Sequence, residues 1–155
     1  MIAIASTAIT LALVFYTIGI FAERRAGTLK LSHIIFFYMG LVFDTAGTAV
    51  MSVIARGNSA NLAHATTGLL AIILMIIHAA WATIAYAKKN PETLSRFHRL
   101  SIGVWLVWLV PYVCGMLMGI PALKLDSNVA FASAISTSVN AGLLIISTET
   151  KRLHQ

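Results

Sequence analysis

Residues Asn61–Ala87 read NLAHATTGLLAIILMIIHAAWATIAYA. The stretch contains no Asp, Glu, Lys or Arg and exceeds the roughly 20 residues needed to cross a hydrocarbon core. Its apolar residues do not alternate with polar ones, so it reads as a helix and not as a barrel strand. Two histidines interrupt it, His64 and His78. Fourteen residues at about 100° per residue return within roughly 40° of the start, with a rise of about 21 Å. Both rings then face one neighbour, one near each side of a bilayer. Ionisable side chains inside membrane helices are costly and usually functional. The spacing predicts two stacked cofactor sites, or a path for protons and electrons across the membrane.

The rest of the chain fits this frame. It has 155 residues, 59% of them hydrophobic and 10% charged, with a mean hydropathy of +0.87. A water-exposed surface needs far more charge than that. Four further apolar segments flank the central one: Ile2–Ala22, Leu31–Ala55, Leu100–Pro121 and Val129–Thr148. The predicted fold is all-α: a polytopic membrane protein of five transmembrane helices in one domain spanning 1–155, with helices two to four as the bundle core. The first segment has no basic residues before its apolar run, which favours a retained helix over a signal peptide.

Basic residues set the expected orientation. Nine lie in the first loop, in and beyond the third loop, and in the C-terminal tail; the second loop has only Arg56 and the fourth only Lys124. The positive-inside rule places the N-terminus outside and the C-terminus in the cytoplasm. The net charge of +6 is thus a topology signal. With no basic patch interleaved with aromatics, no nucleic-acid partner is expected. The single cysteine, Cys114, forms no intrachain disulfide and belongs to no zinc-ligand spacing; it reads as a small buried apolar residue.

The third loop carries a geometric consequence. Asn90 is a helix N-cap, Pro91 a first helical residue and Glu92 a first-turn acid, so helix four starts near Pro91. His98 then lies inside that helix. His78 is ten residues before Lys88 and His98 ten residues after it. In an antiparallel hairpin such mirrored positions share one depth. His78 and His98 are therefore expected to face each other as the axial ligands of a bis-histidine haem. Arg96 and Arg99, at the membrane edge, are candidate partners for its propionates. A helix-end histidine also caps or snorkels, and His98 alone would read that way.

His64 has no histidine opposite it. It is either a ligand to a second haem iron, with Met116, Tyr112 or another subunit opposite, or a proton acceptor near the outer surface. On helix two, His33, Gly40, Asp44, Gly47 and Met51 share a face. Asp44 lies near mid-membrane and must be protonated, paired or wet; with His64 it is a candidate for proton handling. The glycines leave room for something flat or for another helix. His33 is a rival ligand, a propionate partner or an interfacial histidine. Helix five reads as a packing helix, with Asn140 hydrogen-bonded to a neighbour.

The runs Leu31-Ser-His-Ile-Ile-Phe-Phe, Asp44-Thr-Ala-Gly-Thr, His64-Ala-Thr-Thr-Gly-Leu-Leu-Ala-Ile-Ile-Leu-Met, His78-Ala-Ala-Trp-Ala and Phe97-His-Arg-Leu-Ser resemble the HsmA family of small haem-binding membrane proteins. The resemblance covers helices two to four well and helix five poorly. It implies a b-type haem protein with a redox role toward membrane quinones, and His33, His64, His78 and His98 match the family's motifs. The expectation is a protein of a bacterial or archaeal cell membrane, carrying one or two haems b. It transfers electrons and has quinol oxidation as a candidate activity. Its partners are membrane lipid, a quinone, a redox protein and, as a further candidate, a second copy of itself. A different class stays open: a metal or small-molecule transporter, or a haem sensor or chaperone.

Overall fold

A computed structural model describes residues 1–55, 62–118 and 125–153; within these, the side chains of 55, 62–64 and 149–153 are excluded from description. It contains five helices: α1 (Ile2–Ala26), α2 (Leu31–Ala55), α3 (Leu62–Lys88), α4 (Pro91–Met118) and α5 (Ser127–Leu153). Each is long and apolar enough to cross a membrane. The protein is a helix-bundle membrane protein. Its outward surface agrees: on α3, Leu69, Leu70, Ile73, Ile76 and Ile77 are all exposed, a surface suited to hydrocarbon and not to water.

The helix ends follow local chemistry. Gly27 closes α1 in the left-handed conformation (φ 61°), its N–H donating to the Arg24 carbonyl, as C-terminal glycines do. The α3–α4 turn places Lys89 at φ 49°. Asn90 Oδ1 then accepts the Glu92 N–H at 2.9 Å, the expected N-cap, and α4 begins at Pro91. Asp126 caps α5 in the same way, accepting from the Asn128 N–H at 2.8 Å.

The chain divides into two compact units, Met1–Trp105 and Leu106–Gln155. In the first, α1 packs closely along α2. Its buried face is Ala5, Ala12, Tyr16, Gly19, Ile20 and Glu23. Against it lies the α2 stripe of His33, Phe37, Gly40, Asp44 and Gly47, all buried. The glycines make room for a helix: a Cβ on Gly40 would sit 3.2 Å from Tyr16 Cβ and 3.3 Å from the Ala12 carbonyl oxygen. A Cβ on Gly47 would meet Ile9 Cγ1 at 2.5 Å and the Ala5 carbonyl oxygen at 3.0 Å. The core expected from α2, α3 and α4 thus includes α1 as a full member.

In the second unit, Ser138 Oγ donates to the Leu106 carbonyl at 2.7 Å, and Gly142 lies under Leu106. Cys114 is buried, with its thiol 3.7 Å from Met118 Sδ. Among the described residues Asn140 bonds no neighbouring helix, contrary to expectation. Its amide donates to the Ser136 carbonyl at 2.9 Å, because a carboxamide can reach the carbonyl one turn back on its own helix.

Gly47→Val should destabilise the bundle by about 1–3 kcal/mol through overpacking against α1. Gly68→Ala, where an added Cβ meets nothing within 4 Å, should be neutral or stabilising by up to ~1 kcal/mol through helix propensity. Thermal unfolding of both variants in one detergent checks this, and equal midpoints would refute the close α1–α2 approach.

Candidate functional site

His78 lies midway along the buried face of α3, between Met75 and Ala82, and is 3% exposed. A buried imidazole needs partners for both nitrogens, and inside a membrane bundle only the protein supplies them. Tyr16 Oη of α1 lies 2.7 Å from Nδ1, and Ser101 Oγ of α4 lies 3.0 Å from Nε2. Phe97 stacks on the ring at 4.9 Å, and Phe37 meets it edge-on at 4.8 Å. Tyrosine and serine hydroxyls both donate and accept, so either neutral tautomer of His78 is accommodated. Asp44 of α2 extends this layer, lying within electrostatic reach of Tyr16.

His98 sits in α4 beside this layer, on a different face. Its Nδ1 is 2.9 Å from Glu23 Oε1 of α1. Arg24, the next residue, donates from Nη1 to the His98 carbonyl at 3.3 Å. The end of α1 therefore holds His98 by ring and by backbone. The histidine is one-third exposed, whereas the Glu23 side chain is only 3% exposed. A carboxylate only accepts, so the paired Nδ1 carries hydrogen and a neutral ring keeps its lone pair on Nε2. That nitrogen has no hydrogen-bond partner among the described residues. Glu23 Oε2 is likewise buried without a partner.

The two histidines share a hairpin level but not a contact. His78 meets Phe97 and Ser101, one turn apart on α4, while His98 is rotated about 100° from Phe97 and faces α1. Arg96 is exposed and pairs with Glu92 at 2.7 Å, an i,i+4 pair on the helix surface. Arg99 is exposed. His33 is buried at the start of α2, where its Nδ1 accepts the Lys30 N–H at 3.2 Å. This is the reach-back half of a capping box, made here by an imidazole. A neutral His33 so engaged carries its hydrogen on Nε2. The His64 side chain lies outside the described residues. Of its expected opposites, Tyr112 stacks on Trp108 at 5.5 Å and Met116 is exposed. Among the described residues no three His, Cys, Asp or Glu side chains converge to hold a metal ion, so His33, His78 and His98 do not form a three-histidine site.

Sequence reading missed Tyr16 and Glu23. Glu23 stands next to Arg24 and Arg25 and passes for a flanking charge. Helical phase was the available signal: Glu23 follows Tyr16 by seven residues and therefore shares its face.

Tyr16→Phe should destabilise the protein by about 1–3 kcal/mol, since it leaves a buried imidazole nitrogen without its partner. A typical interhelical hydrogen bond in a membrane is worth only ~0.6 kcal/mol. An unfolding midpoint in detergent equal to the parent's would refute the buried Tyr16–His78 hydrogen bond. No family model, curated protein or solved structure matches the chain.

Proposed function

We propose that this chain is a b-type haem-binding protein of the cell membrane that carries electrons within the bilayer, with a membrane quinol as the candidate donor. The observation that carries the reading is the state of its two hairpin histidines. Each has Nδ1 held by an oxygen from α1, Tyr16 Oη for His78 and Glu23 Oε1 for His98. Metal-ligating histidines are commonly anchored in this way through one nitrogen, which orients the other toward the metal. Haem needs few protein ligands, so the lack of a three-residue metal cluster among the described residues does not count against it.

The donor chemistry suits an iron porphyrin, and the two histidines suit it unequally. His98 presents Nε2 without a partner among the described residues. His78 Nε2 is engaged by Ser101, so ligation there exchanges that hydrogen bond for the metal. The two rings meet different neighbours. His64 is retained as a ligand to a second haem or as a proton acceptor. Bound haem b supplies a one-electron couple inside the membrane.

The remaining roles belong to the chain. Phe37 and Phe97 keep the surroundings of His78 apolar. Arg96 and Arg99, exposed at the start of α4, are placed to meet propionates, Arg96 by giving up its surface pair with Glu92. Quinol oxidation releases protons together with electrons, and Asp44 and His64 are the residues assigned to take one. The excess of Lys and Arg in the loops after α1 and α3 and in the tail orients these toward the cytoplasm, with the N-terminus outside.

The full chain, produced with ample haem and purified in mild detergent, should show a sharp reduced α-band of the b type. His98→Ala and His78→Ala should each lose most of the haem that depends on them. Ser101→Ala, which frees His78 Nε2, should keep it. A colourless parent protein, or full haem retention in both histidine variants, would overturn the reading.

A further inference from the structure

Glu23 is a costly residue to keep where it is. Its side chain is 3% exposed near the end of α1, and Oε2 has no hydrogen-bond partner among the described residues. A buried polar atom without a partner is destabilising, and more so when it carries charge. Stability alone does not account for it, because an apolar side chain of similar size would avoid that penalty. Its geometry suggests a different role. Oε1 lies 2.9 Å from His98 Nδ1, and Arg24 beside it fixes the His98 carbonyl at 3.3 Å. The carboxylate's one hydrogen-bonded partner is thus an imidazole whose other nitrogen is unengaged among the described residues.

We infer that Glu23 is a positioning residue: its carboxylate fixes the tautomer of His98 and raises the donor strength of Nε2, lowering the reduction potential of a haem bound there. The inference rests on the haem reading above. The physical chain is short. A hydrogen bond from Nδ1–H to an anion shifts electron density into the imidazole ring, making Nε2 the stronger donor. A stronger donor favours ferric over ferrous iron. Glu23 is itself buried, so its charge is screened less than it would be in water. His78 has a neutral hydroxyl in the equivalent place, Tyr16, so the two histidines differ in donor strength through what α1 sets behind each.

The test uses the full haem-loaded chain in mild detergent. Glu23→Gln keeps an acceptor for Nδ1–H and removes the charge. It should still bind haem, with a midpoint potential raised by at least the equivalent of a tenfold change in the ferric-to-ferrous ratio, ~59 mV for one electron. If Glu23→Gln is not recovered folded, Glu23→Asp serves instead. It keeps the charge but shortens the reach, and it should displace the g values of the ferric EPR signal. A folded, haem-loaded Glu23→Gln with the parent's potential overturns the role of Glu23 and leaves the haem reading standing, as does a Glu23→Asp with the parent's EPR signal. A parent chain that takes up no haem overturns both.

Discussion

A polar side chain inside a membrane bundle must find its partners within the protein, and His78 finds them on two different helices. Tyr16 comes from α1 and Ser101 from α4, so one buried imidazole ties three helices together at one level. The aromatic rings of Phe37 and Phe97 close around it and exclude lipid. This arrangement requires α1 to lie close to the rest of the bundle. The glycines of α2 make that possible, since Gly40 admits the Tyr16 side chain and the Ala12 carbonyl, and Gly47 admits the backbone of Ala5 and Ile9. The small residues and the polar layer are therefore one design: without the close approach, the phenol would not reach the histidine.

The sequence allowed depth to be read but not azimuth. Five apolar runs and short loops define five spans, and the Asn90–Pro91–Glu92 signal locates the start of α4 within a residue. Hairpin mirroring brings the level of His78 close to that of His98. The rotation of α4 about its axis has no such signature. Phe97 and Ser101 are as compatible with the inner face as His98 is, and large aromatic bulk and a small hydroxyl fill the space around His78 without strain. His98, rotated away, finds a carboxylate on α1. The helical phase of α1 held that information, but the adjacent arginines made Glu23 look like a juxtamembrane charge.

His33 illustrates a related ambiguity. Its place on the Gly40–Asp44–Gly47 face made it a plausible ligand, and the face is indeed buried. Yet it is the third residue of α2, where unsatisfied backbone N–H groups compete for acceptors. The Lys30 N–H claims its Nδ1. A short-range backbone demand has thus engaged one nitrogen of a histidine that the sequence reads as a rival ligand, a propionate partner or an interfacial residue. Asp44, further along the same stripe, faces no helix end and is within electrostatic reach of Tyr16. The stripe therefore divides into a capping end and a mid-membrane polar end.

The contrast between His78 and His98 bears on how a redox site here would work. Ser101 and Tyr16 can both reverse their hydrogen bonds, so His78 can change tautomer in place with its neighbours following. His98 lacks that freedom as long as its partner is a carboxylate, which accepts and cannot donate. One imidazole is adaptable and enclosed; the other is fixed and partly open. An electron carrier benefits from ligands that do not reorganise as charge moves, and a fixed tautomer anchored by a buried anion meets that requirement. For the haem proposed above, His98, which sequence position alone makes the weaker candidate, is the better prepared of the two imidazoles, and α1 is the element that prepares it.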